Sequence, residues 1–187
     1  MKYLIVSDIH GSALYCGQAL RLFEKEACDR LILLGDILYH GPRNALPQQY
    51  DPPAVAQMLN EKAHLIHAVR GNCEAEVDQV VLHFPVMADY ALMPVGSRQM
   101  VITHGHLYNG ECPPPHAAGD ILLFGHIHVQ KHERSGSLVL LNPGSVSIPK
   151  ENSRRACMTL EGSVFRWVDL NGEEFYRWDS EADEWPD

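Results

Sequence analysis

The chain reads as blocks of apolar and polar residues whose period changes once. Residues 2–7 (KYLIVS) form a short, nearly continuous apolar run, the pattern of a strand covered on both faces, and Asp8 follows directly. From Ser12, a natural N-cap, Leu14, Leu20 and Phe23 recur with small residues between them to about Ala27. That spacing predicts an amphipathic helix. RLILLG at 30–35 repeats the strand pattern and ends in Asp36. A strand–helix–strand unit crosses over right-handed and pairs its strands in parallel, which brings Asp8 and Asp36 to one edge of the sheet. The proline-rich stretch 38–53 predicts a long loop at that edge. Asp51 with Pro52 and Pro53 predicts a second helix to about Ala63, HLIHAVRGN a third strand ending at Asn72, and Glu74 to about Leu82 a short helix.

Beyond residue 88 the period becomes two. ADYALMPV and RQMVITHG flank Gly96-Ser97 as a hairpin, and ILLFGH, VQKHER, SLVLLN, RACMTLEG, VFRWVDL and EEFYRWD continue as short strands. Asn171-Gly172 between the last two signals a type I′ turn, with Trp167 and Trp178 facing each other across it. The expected fold class is therefore α/β (α+β mixed), a four-layer sandwich of two packed mixed β-sheets flanked by helices. No repeat, low-complexity segment or boundary divides the sequence. One domain over 1–187 is expected, frayed in its acidic tail from Ser180, and Trp185 lies in that tail.

Composition narrows the function classes. The 187 residues are 45% hydrophobic, enough for a full core, and carry a net charge of −9 with only 15 Lys plus Arg. Without a basic stripe to displace counterions, nucleic-acid binding is disfavoured. No apolar run approaches the roughly 20 residues of a membrane span. The N-terminus enters strand pattern with no secretory signal, so the expected compartment is the cytoplasm. Five cysteines, never spaced as C-x-x-C, imply neither a disulfide framework nor a structural zinc knuckle.

The chemistry collects at strand ends. Asp8, His10, Asp36, Asn72, His104, His126 and His128 each sit where an aliphatic run gives way to glycine or a polar turn. Ligands of open α/β sheets gather outside those carboxyl ends. Taken singly, His104 or His126 reads as a hydrogen-bonded or surface histidine, and Asp8 or Asp36 as a strand-end cap. Taken together, seven oxygen and nitrogen donors suit two divalent cations better than one. His126 and His128, two apart on an extended segment, would normally point to opposite sides. The turn at Gly125 must distort the strand for both to face one site.

Asp8-Ile9-His10, Gly35-Asp36, Gly71-Asn72, His104-Gly105 and Gly125-His126-Ile127-His128 match in order the five blocks of the calcineurin-like metallophosphoesterase superfamily. With Gly71-Asn72-Cys73-Glu74, the loop His40–Asn44 and Asn142-Pro143-Gly144-Ser145, the chain most resembles the small bacterial phosphodiesterase branch of the YfcE type, over approximately residues 1–150. The resemblance implies that Asp8, His10 and His128 hold one metal, that Asn72, His104 and His126 hold the other, and that Asp36 bridges them. The cofactors implied are two divalent ions, Mn²⁺ first, with Fe, Zn²⁺ or Ni²⁺ also suited to such ligands. Ions about 3.5–4 Å apart can share a bridging hydroxide that attacks a phosphodiester in line.

Cys73 departs from the pattern, because many members carry there a histidine credited with protonating the leaving alkoxide. A thiol is a weaker donor, with an ordinary pKa of about 8.5, so diesters are expected in preference to simple alkyl monoesters. His106 is a candidate to line the site or support a ligand. Arg43, Asn44 and Arg70 are candidates to reach substrate phosphate, and Gly144 and Ser145 to shape a turn beneath the metals. The alternatives are a protein-interaction scaffold, as in the retromer-subunit branch, or a nuclease. Filled ligand positions oppose the first. An acidic surface and no capping domain oppose the second. Alternating apolar residues on the terminal hairpin could cover a sheet edge or join a homo-oligomer.

Overall fold

The structure, a computed structural model, describes residues 1–182. The strands are β1 (Lys2–Val6), β2 (Arg30–Leu33), β3 (Ile66–Ala68), β4 (Tyr90–Val95), β5 (Arg98–Thr103), β6 (Ile121–Leu123), β7 (Gln130–Ser135), β8 (Leu138–Pro143), β9 (Ala156–Glu161), β10 (Val164–Asp169) and β11 (Glu174–Asp179). The helices are α1 (Ala13–Lys25), α2 (Pro52–Asn60) and α3 (Glu76–Val81). One sheet runs β11-β10-β9-β1-β2-β3, the other β4-β5-β6-β8-β7. Both are mixed: β1, β2 and β3 are parallel, as are β5, β6 and β8, while the remaining pairs are antiparallel.

Alternation sorts the side chains into layers. Ile5, Ile32, Met158 and Leu160 of the first sheet meet Met100, Ile102, Ile121, Leu123, Val139 and Leu141 of the second in the central core. Their neighbours Leu4, Val6, Leu31 and Leu33 face the other way, onto α1 and α2 through Cys16, Ala19, Phe23, Val55 and Leu59. Each such side chain, fully buried, is worth about 1.5–3 kcal/mol, which is why a one-residue slip of register is not tolerated. The cover is unequal. Val101, Leu122, Phe124, Leu138 and Leu140 form a smaller cluster on the outer face of the second sheet, where the connection 104–120 lies in place of a helix.

Several elements depart from expectation. Ser12 caps α1 as predicted, accepting the Tyr15 N–H at 3.3 Å. The second helix stops at Asn60, and a 3₁₀ turn over Ala63–Leu65 takes the start of the third strand. The third helix begins at Glu76 rather than Glu74, because the Glu74 carboxylate is turned inward, as described below. The final hairpin is not a type I′ turn, which needs both central residues left-handed. Only Gly172 (φ +87°) is so, and its N–H bonds the Asp169 carbonyl at 2.9 Å, while the Asp169 carboxylate accepts from the Asn171 and Glu173 N–H groups. Asp169 thus closes a longer turn. The register then pairs Trp167 with Tyr176 and Phe165 with Trp178, so the two tryptophans are offset by two pairs rather than opposed. Trp185 and the rest of 183–187, most of the expected frayed tail, lie outside the described residues.

Candidate metal centre

The exits of β1 and β2 are laced together by backbone bonds. Asp8 N–H donates to Gly35 O (3.2 Å), His10 N–H to Asp36 O (2.8 Å) and Gly11 N–H to Ile37 O (2.8 Å). This places Asp8, His10 and Asp36 within one cluster. Asp8, His10, Asp36, His126 and His128 all adopt left-handed backbone, with φ of 56°, 50°, 52°, 67° and 62°. L side chains rarely hold this conformation, and it persists only where surrounding structure over-determines it. It turns both histidines of Gly125-His126-Ile127-His128 inward. The distortion foreseen at Gly125 therefore falls on the histidines themselves. Gly125 is needed for closeness, since a Cβ there would lie 1.9 Å from Ser7 Oγ and 2.8 Å from Asp8 Oδ2.

Supporting bonds orient the donors. His10, His104 and His128 each present Nδ1 to a backbone carbonyl, of Tyr39 (2.8 Å), Leu34 (2.7 Å) and Ile148 (2.8 Å) respectively. With Nδ1 donating, each Nε2 keeps its lone pair for the interior. Two groups of donors result. His10 Nε2 and His128 Nε2 are 3.3 Å apart, with Asp8 Oδ1 3.2 Å from the latter. His104 Nε2 lies 3.1 Å from Asn72 Oδ1 and 3.2 Å from His126 Nδ1. Asp36 stands between them, Oδ2 at 3.6 Å from His10 Nε2 and Oδ1 at 3.4 Å from His104 Nε2.

These atoms fit divalent cations. Lone pairs meeting at such distances repel one another unless a cation or proton lies between them. Donors about 2.1 Å from one ion and at right angles to each other are about 3 Å apart. Buried Asp8 Oδ1 has no hydrogen-bond partner, a cost of about 1–3 kcal/mol or more that an ion would relieve. The triads Asp8–His10–His128 and Asp8–Asp36–His104 each converge closely enough for one ion, and so does His10–Asp36–Cys73.

The electrostatics agree. Burial works against charge on Asp8, yet the adjacent His10 and His128 imidazoles and the charges of His104 and His128 hold its carboxyl well below the usual range. Burial also opposes a proton on His104, but the Asp36 hydrogen bond and the charges of Asp8 and Asp36 prevail and push its pKa up to about 9. Burial lowers the pKa of His126 and of His106, reinforced by neighbouring His104. A field that favours a proton on buried His104 also favours a metal cation.

Supports outside the donor set are extensive. Ser145 Oγ and Ser147 Oγ both donate to the Asp8 carbonyl, at 2.8 and 2.9 Å, so the Asn142–Ser145 turn does pack beneath the centre. Asn142 Nδ2 donates to Gly125 O at 2.7 Å. The Glu74 carboxylate accepts three backbone N–H groups, from Asp36 (2.9 Å), Ile37 (2.7 Å) and Gly71 (2.5 Å). It ties the second and third strand exits together. Sequence reading assigned Glu74 to a helix start; its place two residues after Asn72 was the available signal.

Not every candidate reaches the centre. A cleft of about 330 Å³ over the donors is lined by Asp36, Asn72, Cys73, His126, His128, Arg43 and Asn44, together with Lys150, which sequence reading missed. Cys73 accepts from Asn72 Nδ2 at 3.3 Å and donates its N–H to Asp36 Oδ1 at 2.9 Å. Burial, then the Asp36 charge, pushes its thiol pKa far up, so it stays neutral. His106 packs edge-on against His104, with centroids 5.4 Å apart, and lines a second cleft of about 410 Å³ on the far side of His126. Arg70 is not among the residues that line the first cleft; it pairs with Asp89 at 2.5 Å.

With strand exits, two mixed sheets and this donor set in place, the class is defined: the chain belongs to the calcineurin-like phosphoesterase superfamily, whose domain profile matches residues 1–163. Among individual relatives, it is 43% identical to phosphodiesterase YfcE of Escherichia coli K12, over 92% of this chain and 94% of that protein. The solved structure of E. coli YfcE, described as a phosphoesterase, superposes with a TM-score of 0.91 at 40% identity, covering 96% of this chain and 99% of the other. A probable metallophosphoesterase of Bacillus subtilis, YsnB, is 29% identical over 93% of this chain and 94% of its own length.

Proposed function

We propose that the protein is a metal-dependent phosphodiesterase that hydrolyses small organic phosphodiesters. The carrying observation is the division of seven donors into two groups with one oxygen of Asp36 turned toward each. We assign Asp8, His10 and His128 to one divalent ion, Asn72, His104 and His126 to a second, and Asp36 to both, with Mn²⁺ the first candidate and Fe, Zn²⁺ or Ni²⁺ next. Bound there, such ions supply Lewis acidity and water ionised near neutral pH.

The chain's own groups do the rest. The carbonyls of Tyr39, Leu34 and Ile148 hold three imidazoles in the tautomer that points Nε2 inward. Glu74 holds the Asp36 and Gly71 backbones in register. His106 buttresses His104 and His126. Arg43 and Asn44 border the cleft where phosphate oxygens would lie. Cys73 remains a neutral thiol beside Asp36, a weak proton donor, which suits leaving groups that need little protonation. Cys73→His should therefore raise the ratio of monoester to diester kcat/KM; an unchanged ratio would count against this role.

The unbroken sheet from β11 to β3 supports reading the chain as one domain. Among the described residues no helix is long and apolar enough to cross a membrane; the compartment proposed is the cytoplasm. The deciding experiment is hydrolysis of bis(p-nitrophenyl) phosphate by the purified protein with Mn²⁺. Chelation should abolish turnover and re-addition restore it, whereas turnover that persists in excess chelator would overturn the assignment.

A further inference from the structure

The donor cluster lies between two clefts of opposite character, and His126 borders both. A phosphodiester has two substituents diverging from one phosphorus, so the clefts match its branching. Their charges differ. Apart from Asp36, the first cleft has no carboxylate in its wall, yet it carries Arg43 and Lys150. Among the described residues neither forms an ion pair. In a chain of net charge −9 this is a local excess of positive charge. The second cleft carries Glu111, and its cation, Lys131, is already paired with Glu133 at 2.9 Å.

Lys150 is also held in place. Its N–H donates to His128 O (3.1 Å), and its carbonyl accepts from Ser153 N–H (2.9 Å) and Oγ (2.5 Å). Ser153 Oγ is 3.0 Å from the same His128 carbonyl. Glu151 and Asn152 between them are both left-handed, at φ 52° and 59°. Two successive non-glycine residues in that region make a tight turn that would cost about 1–3 kcal/mol each without support. The turn fixes the Lys150 backbone to a candidate ligand, while its ammonium stays exposed at the cleft mouth.

Resting on the phosphodiesterase reading, we infer that Arg43 and Lys150 select diesters in which one substituent carries a second negative charge, a carboxylate or a terminal phosphate. The charged arm lies in the Arg43–Lys150 cleft and the other arm in the cleft beside His106. Glu111 repels an anion from the second cleft, so charge sets the orientation of the diester as well as its choice.

The test compares p-nitrophenyl 2-carboxyethyl phosphate with its neutral amide, which has the same shape and leaving group. Wild type should favour the carboxylate by about tenfold in kcat/KM, the scale of two partly exposed charge contacts. Lys150→Gln should reduce that ratio to about threefold, Lys150→Gln with Arg43→Gln should bring it near one, and Lys150→Arg should preserve it. A wild-type ratio of one overturns the inference and leaves phosphodiester hydrolysis intact. Calorimetry separates the two ideas further, with 2-carboxyethylphosphonate and its amide titrated into the Mn²⁺-loaded protein. Tighter binding of the carboxylate without any diester turnover would sustain the charge selection while the hydrolytic reading failed. Equal binding overturns the selection whatever the turnover.

Discussion

The strand-exit edge, to which both sheets contribute, and the terminal β9–β11 meander of the first sheet are built on opposite terms. At the edge, five candidate ligands are left-handed and a buried carboxylate oxygen has no partner. From Ser153 to Ala182 no non-glycine residue has positive φ. There Phe165 stacks on Trp178 with centroids 5.4 Å apart, and Trp167 meets Tyr176 edge-on at 5.1 Å. The difference teaches where stability and activity reside. Aromatic-rich pairing offsets the strain and desolvation concentrated at the functional end. A thread joins the two: Trp167 Nε1 donates to Asn142 O (2.8 Å), and Asn142 Nδ2 supports Gly125 O.

If this division holds, substitutions in the two regions should fail in different ways. The largest effect is expected for Asp36→Ala, which removes the shared carboxylate. Its kcat/KM on a phosphodiester should fall by about 10³-fold or more, while its melting temperature in chelator moves less than that of the meander variant described next. Comparable losses of both would break the comparison. Phe165→Ala, in the central core, should cost about 3–5 kcal/mol in urea unfolding, the usual range for a buried phenylalanine, yet leave turnover per folded molecule within about threefold.

Glu74→Gln tests a positioning residue. It keeps one acceptor oxygen but turns an amide donor toward backbone N–H groups, so activity or metal affinity should drop by about 10- to 100-fold with the fold retained. Unchanged metal affinity and rate would remove Glu74 from the account. The smallest effect belongs to Glu174, whose carboxyl is held down to about 2 by hydrogen bonds from Arg177 and Arg166. A depressed carboxylate stabilises the fold above its unfolded value of about 4.5, and that contribution fades as pH falls toward 2. The stability gap between wild type and Glu174→Gln should therefore be present at pH 6 and shrink below about pH 4.5. A gap that grows on acidification would contradict the pairing.

Much of this was legible beforehand. The continuous runs before Asp8 and Asp36 marked buried parallel strands, and the period-two segments after residue 88 became β4 through β11. All seven candidate donors come together. What escaped was whatever depends on partners that apolar period does not display. Arg70 read as a phosphate binder, but Asp89 captures it. Asn171-Gly172 read as a two-residue turn, but the Asp169 carboxylate organises a longer one. The outer face of the second sheet lies under the connection 104–120, where the four-layer expectation placed helices.

The sequence by itself determined which atoms are available for chemistry and that they leave the sheets on one edge, because apolar period and strand polarity are local properties of the chain. Only the tertiary structure decided how those atoms meet. Left-handed histidines, the Glu74 clasp on Asp36 from 38 residues away and the Lys150 turn bound to His128 exist because remote backbone groups satisfy one another there. Hydrogen bonds of that range have no periodic signature for a sequence to display.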